Sequence, residues 1–256
     1  MKNIGVLVRK ELRLYCVSPI VYVVGMVFLG ISDYLFYAQA VYYSSISTQM
    51  MRFQGNLPQV NIHQALFRPP FLNMGVILLF IVPILTMRLF SEEKKGKTLD
   101  LLLTSPLHLT EIILGKFLAA WLIYLSFLAI SLHLPMIMSL FTDVDWRPLI
   151  ASYLGLALVG GLFVAMGLFA SSMTENQVVS AVLGFGMLIG LWLTGATSQE
   201  GGASVPGQIL GYFSLIDHMD NFMKGLIDTS DLAYFVSLTL FGLFMTHRVL
   251  ESHRWR

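Results

Sequence analysis

The chain has 256 residues, of which 56% are hydrophobic and 12% charged, with a formal net charge of +1. A mean hydropathy of +0.72 excludes an ordinary water-soluble domain, in which roughly half of the residues are apolar, and fits an all-α polytopic membrane protein. Cys16 is the only cysteine, so no intrachain disulfide can form.

The first stretch, residues 1–18, carries the charges of an insertion signal without a small-residue cleavage site, and is expected to be retained. On a helical wheel Ile4, Leu7, Val8, Leu12, Leu14 and Tyr15 share one face and Lys2, Arg9, Lys10 and Arg13 the other. That pattern predicts an amphipathic helix lying along the membrane surface. Glu11 sits within the apolar face, so its carboxylate needs a partner. The choices are a local pair with Arg13, Lys10 or a nearby lysine, or a protein surface.

Pro19 opens a first span over about residues 20–42. Asp33 lies about 21 Å along it at 1.5 Å per residue, toward the outer half. An ionisable group inside a span is a functional-site candidate. The alternative places Asp33 among the outer headgroups, with Tyr34, Tyr37, Tyr42 and Tyr43 as an aromatic belt. A polar outer loop over 44–70 ends at Pro69 and Pro70, and a second span follows over 71–90.

Residues 91–111 form a charged interruption between two spans that are each long enough for the roughly 20 residues a hydrocarbon core requires. Arg88, Lys94, Lys95, Lys97 and Lys116 cluster there, and a Lys/Arg excess beside span ends marks the cytoplasmic side. Thr98 is expected to cap a short helix carrying Leu99, Leu101, Leu102 and Leu103 beside Asp100. Ser105-Pro106 should end it, since the residue before a proline is pushed out of helical geometry. A leucine-rich turn in the cytosol needs a cover. Gly96-Lys97-Thr98 imitates the end of a phosphate-binding loop, but Ser91 stands where that motif needs glycine and a membrane helix where it needs a strand. No nucleotide, cofactor or metal site is expected in this chain.

The third span, about 112–140, is interrupted by His133 and Pro135, so a kink is predicted there. His133 either satisfies a loosened backbone carbonyl or joins Asp33 as an intramembrane polar site. The fourth span covers about 149–170 and the fifth 177–197, with Thr174 as the expected cap between them. Gly155, Gly160, Gly161, Ala165 and Gly167 on one, and Gly184, Gly186 and Gly190 on the other, permit close helix approach. Within 198–230 Ile216, Met219, Met223, Leu226 and Ile227 share a face, which predicts an outer amphipathic helix dipping into lipid. Asp217, His218 and Asp220 lie too close in sequence to make a metal site without distant ligands. The last span covers about 232–250.

Twelve basic residues fall on the proposed inner segments and four, Arg52, Arg68, Arg147 and Lys224, on the outer ones. Six spans with both termini cytoplasmic satisfy that asymmetry.

Glu92-Glu93, two basic residues, Thr98-Leu99-Asp100 and Leu101 to Pro106 together closely resemble the E-E-[KR]-x-x-G-T-[LI]-[ED]-x-L-L-[ST]-x-P segment of type-2 ABC-transporter permeases. The gliding-motility-type permease subunits are the subgroup the segment looks most like. Phe222, Met223, Gly225, Leu226, Ile227 and Asp228 resemble that family's tail. The glycine usual before the threonine is displaced to Gly96, with Lys97 in its place. The resemblance implies that 91–111 is a coupling helix docking on a separate ATPase subunit, which holds the ATP and Mg. It assigns the coupling to Glu92, Glu93, Thr98, Leu99, Asp100, Leu102 and Pro106, supported by Glu11. It also implies a dimer, with a second copy or a related permease, in a bacterial inner membrane.

The expected function is therefore the permease subunit of an ATP-driven ABC transporter, an exporter by resemblance, with no catalysis of its own and no nucleic-acid partner. An intramembrane enzyme built on Asp33 and His133, or a structural membrane anchor for a motility or assembly complex, are the alternatives.

Overall fold

A computed structural model describes residues 2–52, 63–104, 107–141, 144–200 and 214–254. No strand occurs among the described residues; the chain is an all-α polytopic membrane protein. Among the described residues six helical stretches are long and apolar enough to cross a bilayer: Pro19–Thr48, Ala65–Lys95, Leu109–Met138, Trp146–Met173, Gln177–Gly195 and Thr229–His253.

Helix α1 (Lys2–Val17) breaks at Ser18, because Pro19 disfavours helical geometry in the residue before it while its own fixed φ suits the first position of α2 (Pro19–Arg52). That helix continues well past residue 42 into the segment expected to be loop. A π-helical turn, His63–Phe67, leads into α3 (Arg68–Thr86), which opens on Pro69 and Pro70. Short helices α4 (Ser91–Lys95) and α5 (Leu99–Leu103) make up the hairpin.

The third crossing is split as Pro135 requires, into α6 (Leu109–Ser131) and α7 (His133–Met138). Pro135 has no N–H for the Ser131 carbonyl, and the Tyr153 hydroxyl donates to that oxygen instead at 3.1 Å. Helix α8 (Trp146–Met173) starts where the Asp145 carboxylate accepts the Arg147 amide at 3.1 Å. Helix α9 (Gln177–Glu200) is capped by Asn176 rather than by Thr174: Asn176 Oδ1 accepts the Val178 amide at 2.9 Å, while Thr174 Oγ1 accepts the amide of Asn176.

The bundle is built around α8, which packs against α3, α6, α9 and the last two helices, α10 (Leu215–Met223) and α11 (Thr229–Arg254). Its small residues make this possible within one chain. A methyl group added at Gly160 would collide with the Tyr124 ring, and one at Gly167 with Thr86. On α9 Gly184 meets Pro83 and Ala170, whereas Gly186 and Gly190 face open space.

The apolar side of α10 covers protein, not lipid. Leu215, Met219, Phe222 and Met223 are fully buried, while Leu226 and Ile227, expected on that face, are exposed. Gly225, with φ +84°, ends α10 in a left-handed turn against Pro148 and redirects the chain before those two residues.

The candidate coupling site

The hairpin end of the bundle begins with α1. Its buried stripe is Leu7, Glu11 and Tyr15, spaced four apart, with Ile4, Val8 and Leu12 half-buried beside them; Leu14, placed on this face by the wheel, is exposed. The stripe lies along α6, where Leu7 packs over Gly115. Tyr15 donates to the Leu85 carbonyl at 3.1 Å, and burial pushes its phenol well above the usual range. Arg88 stacks 4.7 Å from the Tyr15 ring centroid and donates to Ser18 Oγ at 2.6 Å. The end of α3 and the α1–α2 joint are thereby tied together.

Glu11 does not pair locally. Its carboxylate meets Lys116 of α6 at 3.0 Å, and the same ammonium meets Glu93 of α4 at 2.8 Å. Lys116 is 3% exposed and Glu11 5%, and the ammonium also lies 5.3 Å from the Phe90 ring centroid. One buried cation thus joins three separate elements. The second Glu93 oxygen, Oε2, is buried without a hydrogen-bond partner among the described residues. A cavity of about 560 Å³ opens beside the triad, lined in part by Lys10, Arg88, Glu92 and Thr98.

Helix α4 is also fastened to the end of α8. Ser171 Oγ accepts the amides of Phe90 at 2.9 Å and Ser91 at 3.2 Å, and donates to the Met87 carbonyl at 3.1 Å. These bonds hold the turn between the end of α3 at Thr86 and the start of α4 at Ser91, within the apolar stretch Ala65–Lys95. Lys94 is buried, with Nζ 2.5 Å from the Ser172 carbonyl and 2.8 Å from His253 Nε2.

Between α4 and α5, Gly96 has ordinary helical geometry and Lys97 takes the left-handed conformation at φ 53°. The unusual backbone therefore stays next to Thr98 although the glycine does not. Thr98 immediately precedes α5, and its hydroxyl donates back to the Glu93 carbonyl at 3.3 Å. Leu99 is buried and Leu102 half-buried against the core, whereas Leu101 is 72% exposed. Glu92 is exposed. Pro106 and the side chain of Asp100 lie outside the described residues. Lys116 and Lys94 stood in the sequence only as cytoplasmic charges and Ser171 was not singled out; a lone lysine just inside an apolar run and a serine pair at a helix end are the signals that point to Lys116 and Ser171. Leu101 was missed as the outermost leucine.

Asp33 and His133 do come together, away from the hairpin. Nε2 of His133 lies 3.3 Å from Asp33 Oδ1, off hydrogen-bond geometry, and both side chains are close to half exposed. His133 Nδ1 lies 2.8 Å from the Ile130 carbonyl, the role expected beside a proline-loosened helix. The candidate metal trio is dispersed: Asp220 pairs with Arg68 and Lys224, and His218 with Asp231. No metal-binding cluster occurs among the described residues.

Residues 5–246 match the ABC-2 family transporter protein family. The chain belongs to the ABC-2 transporter family. No curated protein matches it closely enough to report beside that family. The match runs from α1 into α11 and contains the whole hairpin, so this ABC-2 chain is a transporter permease subunit, a transport component rather than an enzyme. An ABC-2 permease implies an ATPase partner in the same transporter.

Proposed function

We propose that the chain is the membrane half of an ATP-driven exporter of the gliding-motility-type subgroup, coupled through residues 91–111 to a separate ATPase subunit. It sits in the bacterial cytoplasmic membrane with both termini inside, as the charge asymmetry favours, and works as a dimer with itself or a related permease. The ATPase holds ATP and Mg; this chain supplies the lever and the path. Its apolar spans suit an amphipathic or lipid-like cargo.

The observation that carries this reading is that α4, the short helix next to the outward-facing leucine helix α5, is fastened to four elements of the bundle. Leu101 is displayed at the surface, and α4 beside it is linked through Glu93 and Lys116 to α1 and α6, and through Ser171, Ser172 and Lys94 to α8 and α11. Buried ion pairs and hydrogen bonds transmit displacement because separating them leaves unpaired charge in a dry setting. A push on α5 that displaces α4, to which Thr98 is hydrogen-bonded, is therefore passed on to the central helix. An isolated membrane anchor has no need of such links.

Affinity purification in mild detergent tests this. The wild-type chain is expected to bring down a nucleotide-binding subunit and ATPase activity, and Leu101→Asp or Leu102→Asp to lose both while still inserting. Leu101 is the cleaner probe, since Leu102 also packs on the core, and Glu93→Lys would set a second ammonium against Lys116. Undiminished recovery with both leucine variants contradicts the coupling assignment.

A further inference from the structure

A second cavity, of about 430 Å³, lies between α6 and α11 at the hairpin end of the bundle. Its wall is apolar: Ile113 and Leu114 from α6, with Leu240, Leu243 and Phe244 from α11. Leu114, Leu240 and Phe244 are substantially exposed, so the groove opens sideways, in the direction a bilayer occupies around a six-span bundle. Apolar space at that depth fills with acyl chain rather than water, because water there would forfeit its hydrogen bonds.

The polar lining of the groove consists of Thr110 at the start of α6 and His247, Arg248 and Glu251 near the end of α11. An apolar trough with its polar groups toward the charged end of the helices has the polarity of a phospholipid. Arg248 is 62% exposed in its side chain, lies 5.1 Å from the Phe244 ring centroid, and gives Nη1 to Glu251 at 3.1 Å. Its Nε and Nη2 have no partner among the described residues, and a guanidinium so held presents a planar fork to phosphate. Glu251 is the one opposing charge in the lining. It is turned back along its own helix, to Arg248 and to His247 Nδ1 at 3.8 Å.

We propose that this groove is a binding site for an anionic phospholipid, with one acyl chain between α6 and α11 and the headgroup phosphate on Arg248, assisted by His247. The site requires six spans but neither an ATPase nor ATP, so its fate is separate from that of the coupling assignment.

The test is native mass spectrometry of the full chain released from nanodiscs of equal phosphatidylglycerol and phosphatidylcholine. The wild type should retain phosphatidylglycerol preferentially. Arg248→Gln should lower that retention about fivefold, the value of one basic residue at an anionic surface, and leave phosphatidylcholine unchanged. Leu240→Trp, which fills the trough, should lower both lipids, whereas Leu140→Trp, on an exposed residue outside the groove, should change neither. Helical content and elution volume verify that each variant is folded. Wild-type phosphatidylglycerol retention by folded Arg248→Gln overturns the headgroup assignment. Equal effects of the two tryptophans overturn the groove.

Discussion

Replacing Lys116 by Met is expected to be the most damaging single change at the hairpin end. The substitution keeps the stem and removes the charge, leaving Glu11 and Glu93 side by side in a setting where the lysine was 3% exposed. An exposed pair would cost about 0–1 kcal/mol. Stranding a buried partner costs about 3–5 kcal/mol, and two carboxylates are stranded here, at 3.0 and 2.8 Å from the missing ammonium. For a chain of this size each kcal/mol shifts the melting temperature by about 2–4 °C, so a 4 kcal/mol loss lowers it by about 8–16 °C. The assay is thermal unfolding in detergent followed by size exclusion, with hydrogen exchange on α1, whose amides should lose protection first. Lys116→Met combined with Glu11→Met and Glu93→Met should recover most of the loss, since a well-packed apolar replacement of a buried triad is often neutral. A drop of under about 3 °C for Lys116→Met alone would show that the triad is solvated, and would remove the mechanical link.

Gly160→Ala should cost about 1–3 kcal/mol by overpacking, because its methyl would enter the ring of Tyr124, which is buried and held by the Leu156 carbonyl at 2.7 Å. Gly186→Ala, facing open space, should be neutral or raise the melting temperature in the same scan. Lys97→Gly should stabilise the hairpin by about 0.5–1 kcal/mol: the left-handed backbone at φ 53° costs a non-glycine residue about 1–2 kcal/mol, and glycine gives back about 0.5–1 as unfolded-state entropy. Slower exchange of the 91–104 amides would register it. At the opposite end, burial alone would push the Asp220 carboxyl up, but hydrogen bonds from Arg68 and Lys224 outweigh it and hold the group below its usual range. A depressed folded value means stabilisation that is present above pH about 4 and lost as the pH falls through the folded value. Asp220→Asn and the parent should therefore differ in melting temperature at pH 6, and the difference should shrink as the pH falls through the lowered folded value.

How much of this was readable in the chain follows from the range over which each signal acts. Six apolar runs and a charged interruption are properties of contiguous residues, so the spans and the hairpin were visible before any coordinates. The helical wheel correctly set Glu11 inside the apolar stripe of α1. It could not find Lys116, 105 residues away, because periodicity says which face is buried and nothing about what buries it. The same blindness produced the lipid-facing expectation for α10, whose apolar side is occupied by α8, α9 and α3, and it left unnamed the partners of the α8 glycines, which are Phe222, Tyr124 and Thr86 of the same chain. The leucine helix was found from its motif, but five residues are too few for a wheel to separate Leu101 from Leu102. Asp33 and His133 were named together as the polar candidates deep within their spans, and in the fold they stand 3.3 Å apart.

The most direct test of the central claim is a photocrosslinking amino acid placed at Leu101, compared with the same probe at Tyr37, an exposed residue on α2 remote from the hairpin. An adduct is expected between position 101 and a nucleotide-binding ATPase subunit, and none from position 37. No ATPase adduct at 101, or equal yields at the two sites, would contradict the coupling assignment.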